Sequence, residues 1–329
     1  MMNEIIRARN VLSNFIKDDN RSPYRFKREC IENSLYGVDI DSGAVEIAKL
    51  RLWLSLVVDE DDIKQIKPLP NLDYKIVCGN SLLGLPPDIL LNDTISTAIE
   101  KKKKQYIGTT IPSEKNNIRG IINDLFSKLI AGIKEYYPSI IDINFDFHTH
   151  FSEVFHENGG FDIVIGNPPY LNVELVPKIQ KDAFAIKYKI FYKRCDVFGL
   201  FFELALTLLT PSKATVTFII PQQIFNNLSY KKLRDLLLDN QWLREVFYLG
   251  DKIFEDANND VCILIITKPK AEMITLINAL DFNKRNITNV PVDHFKKYGN
   301  IISFAQDPGG ESIFDKIFCS ANEPVKNNF

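Results

Sequence analysis

The chain has 329 residues, of which 45% are hydrophobic, and a formal net charge of −2. That is enough apolar material for one large domain or one domain with an appendage, and it excludes a globally basic nucleic-acid binder, so any such contact has to be a local face. The five cysteines (Cys30, Cys78, Cys195, Cys262, Cys319) are scattered without a CxxC pair, which argues against a disulfide scaffold or a zinc site and favours a reducing, cytoplasmic compartment. No signal peptide is recognisable, and no apolar run reaches the roughly eighteen residues of a membrane span.

The chain opens with "MNEIIRARNVLSNFIK", whose apolar residues fall at helical spacing. "NSLYGVDI" reads as a short buried strand, after which Asp41-Ser42 cap the helix "GAVEIAKLRLWLSLVV". "DYKIVCGN" is a second strand ending at Gly79-Asn80. From about residue 85 to 158 the pattern loosens into an expected insertion. Within it "EKKKKQYIG" reads as a solvated charge run and "NNIRGIINDLFSKLIAGIKEYY" as a helix. "FDIVIG" is a third strand, "CDVFGLFFELALTLL" a helix, "KATVTFIIP" a strand and "SYKKLRDLLLDN" a helix. "WLREVFYLG" and "NDVCILIITK" are two strands joined by a loop too short for a crossover helix, so they pair antiparallel. Strands alternating with helices predict an α/β fold with a doubly wound sheet. Residues after about 270 are mixed and polar.

Ligands of an open α/β sheet sit beyond the carboxyl ends of its strands. Asp39 lies at one such tip, where two oxygens could accept both hydroxyls of a ribose; it could equally begin the turn and cap the next helix. Asn80 lies at the next tip, where an amide could read an adenine edge, or serve as an ordinary turn residue. The third tip reads Gly166-Asn167-Pro168-Pro169-Tyr170. Two prolines remove two backbone donors and stiffen the turn. The Asn167 side-chain carbonyl and the Pro168 carbonyl are then fixed acceptors beside an aromatic ring, which suits a planar group bearing an NH2.

"FDIVIGNPPY" resembles the catalytic motif of S-adenosylmethionine-dependent amino-methyltransferases. With "LYGVDIDSGAVEIAKLRLWLSL", "GNSLLG" and "FIIPQQIF", the set resembles the adenine-specific DNA methyltransferase part of type IIG restriction–modification enzymes, over residues 1–270. The resemblance implies a Rossmann-like methyltransferase domain over 1–270, interrupted at about 85–158. Residues 271–329 would then begin a C-terminal extension or partial target-recognition region. It implies methyl transfer from S-adenosylmethionine, without a metal, to N6 of an adenine flipped out of double-stranded DNA. Asp39 would hold the cofactor ribose, Ile40 and Leu82 would sandwich its adenine, and Asn80 with Ser81 would meet the ring's edge. Asn167, which also adjoins the cofactor, and Pro168 would accept the two amine hydrogens of the target base, and Pro169 would stiffen the corner. Tyr170 would stack on the base, with Phe254 on its other face; Phe254 reads equally as an apolar loop residue.

The glycine-rich loop that typically opens the family, of the form Asp-Pro-Ala-Cys-Gly-Ser-Gly, does not occur in the sequence. The expectation is therefore a sheet lacking its first, central strand, with the loop supplied by a separate N-terminal polypeptide or lost by truncation. Pro87-Asp88 with Glu100-Lys101-Lys102 mimics a nuclease pattern and reads as chance. His148, His150 and His156 read as a loop with a few histidines rather than a metal site. Two alternatives stand beside the leading one: methylation of a protein glutamine amide, which is also a planar NH2, and a non-catalytic DNA-binding remnant.

Overall fold

The computed structural model describes residues 2–16, 23–58, 71–85, 93–109, 111–136, 145–191, 195–210, 214–251, 253–254, 260–281 and 284–304. The chain divides into two compact units, Met1–His156 and Glu157–Phe329. Pro87 and Asp88 lie outside the described residues.

The first unit begins with helices α1 (Met2–Ile16) and α2 (Pro23–Asn33), followed by strand β1 (Gly37–Asp39), helix α3 (Ser42–Val57) and strand β2 (Ile76–Cys78). β1 and β2 pair in parallel, Gly37 opposite Ile76 and Asp39 opposite Cys78, with α3 in the connection between them. A parallel pair needs such a crossover. Asp41 caps α3 as the sequence predicts, its carboxylate accepting the amides of Gly43 and Ala44. Cys30, Ile31 and Leu35 close over Val45, Leu56 and Ile76 to form the core.

Residues 85–158 carry α4 (Asp93–Gly108), α5 (Pro112–Tyr136), α6 (Phe147–His150) and α7 (Ser152–Asn158). α4 and α5 pack through Ile99, Leu129 and Ile133 against Leu85. The lysine run is not wholly solvated, because it forms the second half of α4. Helical spacing puts Ser96, Ile99, Lys103 and Tyr106 on the buried face. Lys103 is only 3% exposed and donates to the His150 carbonyl and, at 3.1 Å, to the Glu153 carboxylate. A buried ammonium is tolerated there because it is paired. The run's composition hides this; its period reveals it.

The second unit holds β3 (Ile163–Gly166), α8 (Lys178–Lys187), α9 (Val197–Leu208), β4 (Thr215–Pro221), α10 (Lys231–Asp239), β5 (Leu243–Gly250), β6 (Val261–Thr267), β7 (Met273–Asn278), β8 (Asn286–Pro291) and α11 (Val292–Lys297). Its sheet runs β3-β4-β6-β5-β7-β8. β3 and β4 are parallel, as are β5 and β7, whereas β6 is antiparallel to both β4 and β5. The antiparallel pairing of β5 with β6 is the one their short connection predicts. β7 and β8, in the stretch after 270, continue the same sheet, β8 antiparallel to β7. These directions bring the carboxyl ends of β3, β4 and β5 and the amino end of β6 to one edge.

α9 is largely apolar and correspondingly buried, with Phe198, Leu200 and Phe202 at 0% exposure and only Glu203 and Thr207 polar. β4 answers with Val216, Phe218 and Ile220 on alternate positions. Each such side chain contributes about 1.5–3 kcal/mol on leaving water. Gly160 enters β3 at φ 141°, where an added Cβ would lie 2.6 Å from the Leu208 carbonyl oxygen, so only glycine fits. β1 and β3 each keep one edge without a strand partner among the described residues. On β3, Ile163 and Ile165 are 49% and 56% exposed. No helix among the described residues is long and apolar enough to cross a membrane.

Candidate functional site

In the first unit, the tips of β1 and β2 lie side by side. The Gly79 amide donates to the Asp39 carbonyl at 2.8 Å, and the Cys78 thiol reaches the Ile40 carbonyl at 3.4 Å. Asp39 is exposed, and one carboxylate oxygen accepts the Asp41 amide at 2.9 Å. Because Asp41 is the residue that caps α3, the Asp39 carboxylate is not consumed by the helix. Ile40 stands out into solvent at 71% exposure.

Asn80 starts a short 3-10 turn, Ser81–Leu83, by accepting the Leu82 amide on its side-chain oxygen at 3.0 Å. Asn80 is therefore a turn residue, and its NH2 group takes no part in that bond. Leu82 is buried at 3%. Of the two residues expected to sandwich a ring, Ile40 lies at the surface and Leu82 in the packing. Gly79 has no room for a side chain: an added Cβ would sit 2.2 Å from the Phe145 Cβ.

In the second unit, β3 delivers the proline corner to the carboxyl edge of the sheet. Asn167 and Pro169 are exposed, Pro168 is buried, and Tyr170 is half-buried. The Tyr170 hydroxyl donates to the Ile219 carbonyl at 3.0 Å, and its ring packs on the apolar cluster around Leu249 and Val261. Burial pushes that hydroxyl up to about 12, so the ring is neutral and tethered at one end. Beyond the corner, the Val197 amide donates to the Leu171 carbonyl at 2.8 Å, fixing the exit against the start of α9. Phe254, beyond the end of β5, is 36% exposed.

A polar knot at the same edge escapes sequence reasoning. The Asp260 carboxylate accepts both the Gln222 side-chain amide at 2.9 Å and the Tyr248 hydroxyl at 2.8 Å, while the Asp260 carbonyl accepts the Gln222 backbone amide. Burial and the Asp260 bond raise the Tyr248 hydroxyl to about 12. "FIIPQQIF" marked the turn, but Asp260 is thirty-eight positions away and only the β4–β6 pairing brings it there.

The three histidines have separate employment. His150 lies between Phe126 and Phe145, with ring centroids 4.6 and 4.8 Å away, and its basicity falls to about 4, mainly by burial and then by repulsion from Lys103. His148 stacks on Phe155 at 3.9 Å, and His156 pairs with Glu100 at 2.8 Å. Among the described residues no three side chains converge as a metal-binding group.

The strand tips of the two units differ in chemistry. An exposed carboxylate at a strand tip suits vicinal hydroxyls, and a rigid amide corner with a tethered aromatic suits a planar amine. Residues 33–254 match the Eco57I restriction-modification methylase family. A type II restriction enzyme and methyltransferase of Methanocaldococcus jannaschii is 27% identical over 92% of this chain and 32% of its own length. The type II restriction enzyme and methyltransferase Eco57I of Escherichia coli is 25% identical over 79% of this chain and 21% of its own. The chain thus spans about a third or less of these relatives. A structure of the ATP-dependent type ISP restriction–modification enzyme LlaBIII bound to DNA overlaps 83% of the chain and 17% of its own, at 12% identity and a TM-score of 0.44.

Proposed function

The chain belongs to the Eco57I restriction-modification methylase family, and from that premise we propose that it methylates N6 of adenine in double-stranded DNA with S-adenosylmethionine as donor. The observation that carries this reading is the corner itself: Asn167 is exposed at the carboxyl end of β3 while Pro168, buried beneath it, holds the turn.

In this reading Asn167 and the Pro168 carbonyl each accept one hydrogen of the adenine amine. An amine in a purine delocalises its lone pair into the ring and is a poor nucleophile. Two fixed acceptors draw it toward tetrahedral geometry and restore the lone pair, a gain from preorganised dipoles rather than from a strong base. S-adenosylmethionine supplies an electrophilic methyl carbon. With the donor bound, the amine nitrogen would take its methyl carbon as the sulfur leaves as a thioether, and the surplus amine proton would pass to solvent. Tyr170 gives the flipped base a face to stack on, and Phe254 a second. Asp39 holds the cofactor ribose, while Asn80, Ser81 and Leu82 form the loop beside its adenine.

The scattered cysteines fit a reducing, cytoplasmic setting.

The test is tritium transfer from labelled S-adenosylmethionine to duplex DNA, with a glutamine-bearing peptide as competing acceptor. Asn167→Ala is expected to lower transfer by about a hundredfold or more, the loss typical of a preorganised polar group, while cofactor affinity stays within about threefold. Near-normal turnover in Asn167→Ala, or label appearing in the peptide instead of DNA, would refute the assignment.

A further inference from the structure

The helical insertion of the first unit meets the Asn80 loop at both of its ends. At the first end, Phe145 lies directly against Gly79, where a Cβ would approach its Cβ to 2.2 Å and its Cγ to 2.6 Å. At the second, the Leu85 amide donates to the Asp146 carboxylate at 2.9 Å in a buried setting. Consecutive residues of the insertion thus hold the loop on either side of Asn80.

Asp146 suits this task chemically. It is 5% exposed, and its two oxygens divide the work: one accepts the Thr149 amide at 2.9 Å and the Thr149 hydroxyl at 3.1 Å, the other the Leu85 amide. A buried amide left without an acceptor is costly, and a carboxylate makes the stronger charge-assisted bond. Behind it, His150 is wedged between Phe126 and Phe145, and Lys103 caps the His150 carbonyl. The anchor is therefore fixed by its own packing before it meets the loop.

We propose that Asp146, with Phe145, is the positioning element of the cofactor-side loop: it sets residues 79–85 so that Asn80 and Ser81 face the cofactor's adenine. This rests on the reading of that loop given above. Asp146 touches no reacting atom; it acts through Leu85 and the turn. An asparagine at 146 would keep the shape and volume but offer one neutral acceptor oxygen where the carboxylate offers two charged ones, so the Leu85 amide loses its charge-assisted bond whichever way the amide turns.

The experiment is amide hydrogen exchange on the full chain, joined to calorimetric titration with S-adenosylmethionine, alone and with an added polypeptide carrying the glycine-rich segment. In the unaltered chain the Leu85 amide is expected to exchange at least about a hundredfold more slowly than an open amide. Asp146→Asn should speed that exchange and weaken cofactor binding, each by about tenfold, whereas Thr149→Val, which removes another donor from the same carboxylate, should leave both within twofold. A Leu85 amide unprotected in the unaltered chain, a rate unchanged in Asp146→Asn, or a loosened loop with unaltered affinity would each overturn the proposal. If Asp146→Asn frees the loop but the unaltered chain takes up no S-adenosylmethionine, the cofactor reading fails and the anchoring stands.

Discussion

Asn167 owes its fixed place to the residue after it: Pro168 is buried, so the exposed amide projects from a pinned backbone. The acceptor role proposed for it predicts a graded series. Asn167→Asp keeps an acceptor oxygen and should retain more transfer than Asn167→Ala, and equal losses in the two would point to a packing role instead. Asp39 offers a second test. Since Asp41 caps α3, Asp39→Ala should leave the helix intact. It should raise the dissociation constant for S-adenosylmethionine by about tenfold or more, the worth of charged hydrogen bonds, read by calorimetry with circular dichroism as the control. An unchanged constant would remove Asp39 from the site. The places of these two residues at the ends of β1 and β3 were readable in the sequence because strand tips and prolines leave local marks. Asp260 was not, because what places it beside Gln222 and Tyr248 is strand pairing between distant segments.

At the scale of elements, the α/β alternation was plain because α3, α9 and the central strands carry strong periodicity. α4 was missed, since four consecutive lysines drown the apolar positions that set its buried face. β8 was missed because it is largely exposed and its residues carry little apolar signal, whereas β7, apolar and partly buried, left a signal that was not read. The insertion brings a pH response of its own. His150 is neutral and buried, with a folded value of about 4 against an ordinary 6.5, facing Lys103 and Asp146. The unfolded chain therefore binds the extra proton between these values. The stability at stake is fully present above pH 6.5 and drains away as pH falls toward 4, by at most about 3 kcal/mol. Thermal unfolding at pH 7 and pH 5 should show this slope, and His150→Gln should flatten it; a parallel pH dependence in the variant would show that other groups govern it.

For the whole molecule, near-neutral charge means that the proposed contact with DNA falls to a local face. Within the second unit, long-range closure depends on one cation. Arg234 is 1% exposed and donates to the carbonyls of Ile224, Asn227 and Asn300. It ties the turn after β4 to residue 300, where Asn300 in turn donates to Asp235 at 2.8 Å. Arg234→Met would strand three acceptors and is expected to cost about 2–4 kcal/mol, measured by urea unfolding; a loss below about 1 kcal/mol would mean that water replaces the guanidinium.

Ile163 and Ile165 stand exposed on a strand whose outer edge has no strand partner among the described residues. Such a border is a template that any extended peptide can copy, including the same border of another molecule. Purified by itself and concentrated, the polypeptide should drift toward higher-order species in light scattering. Ile163→Lys should keep it dispersed, and if both samples scatter alike, the border is not what they share.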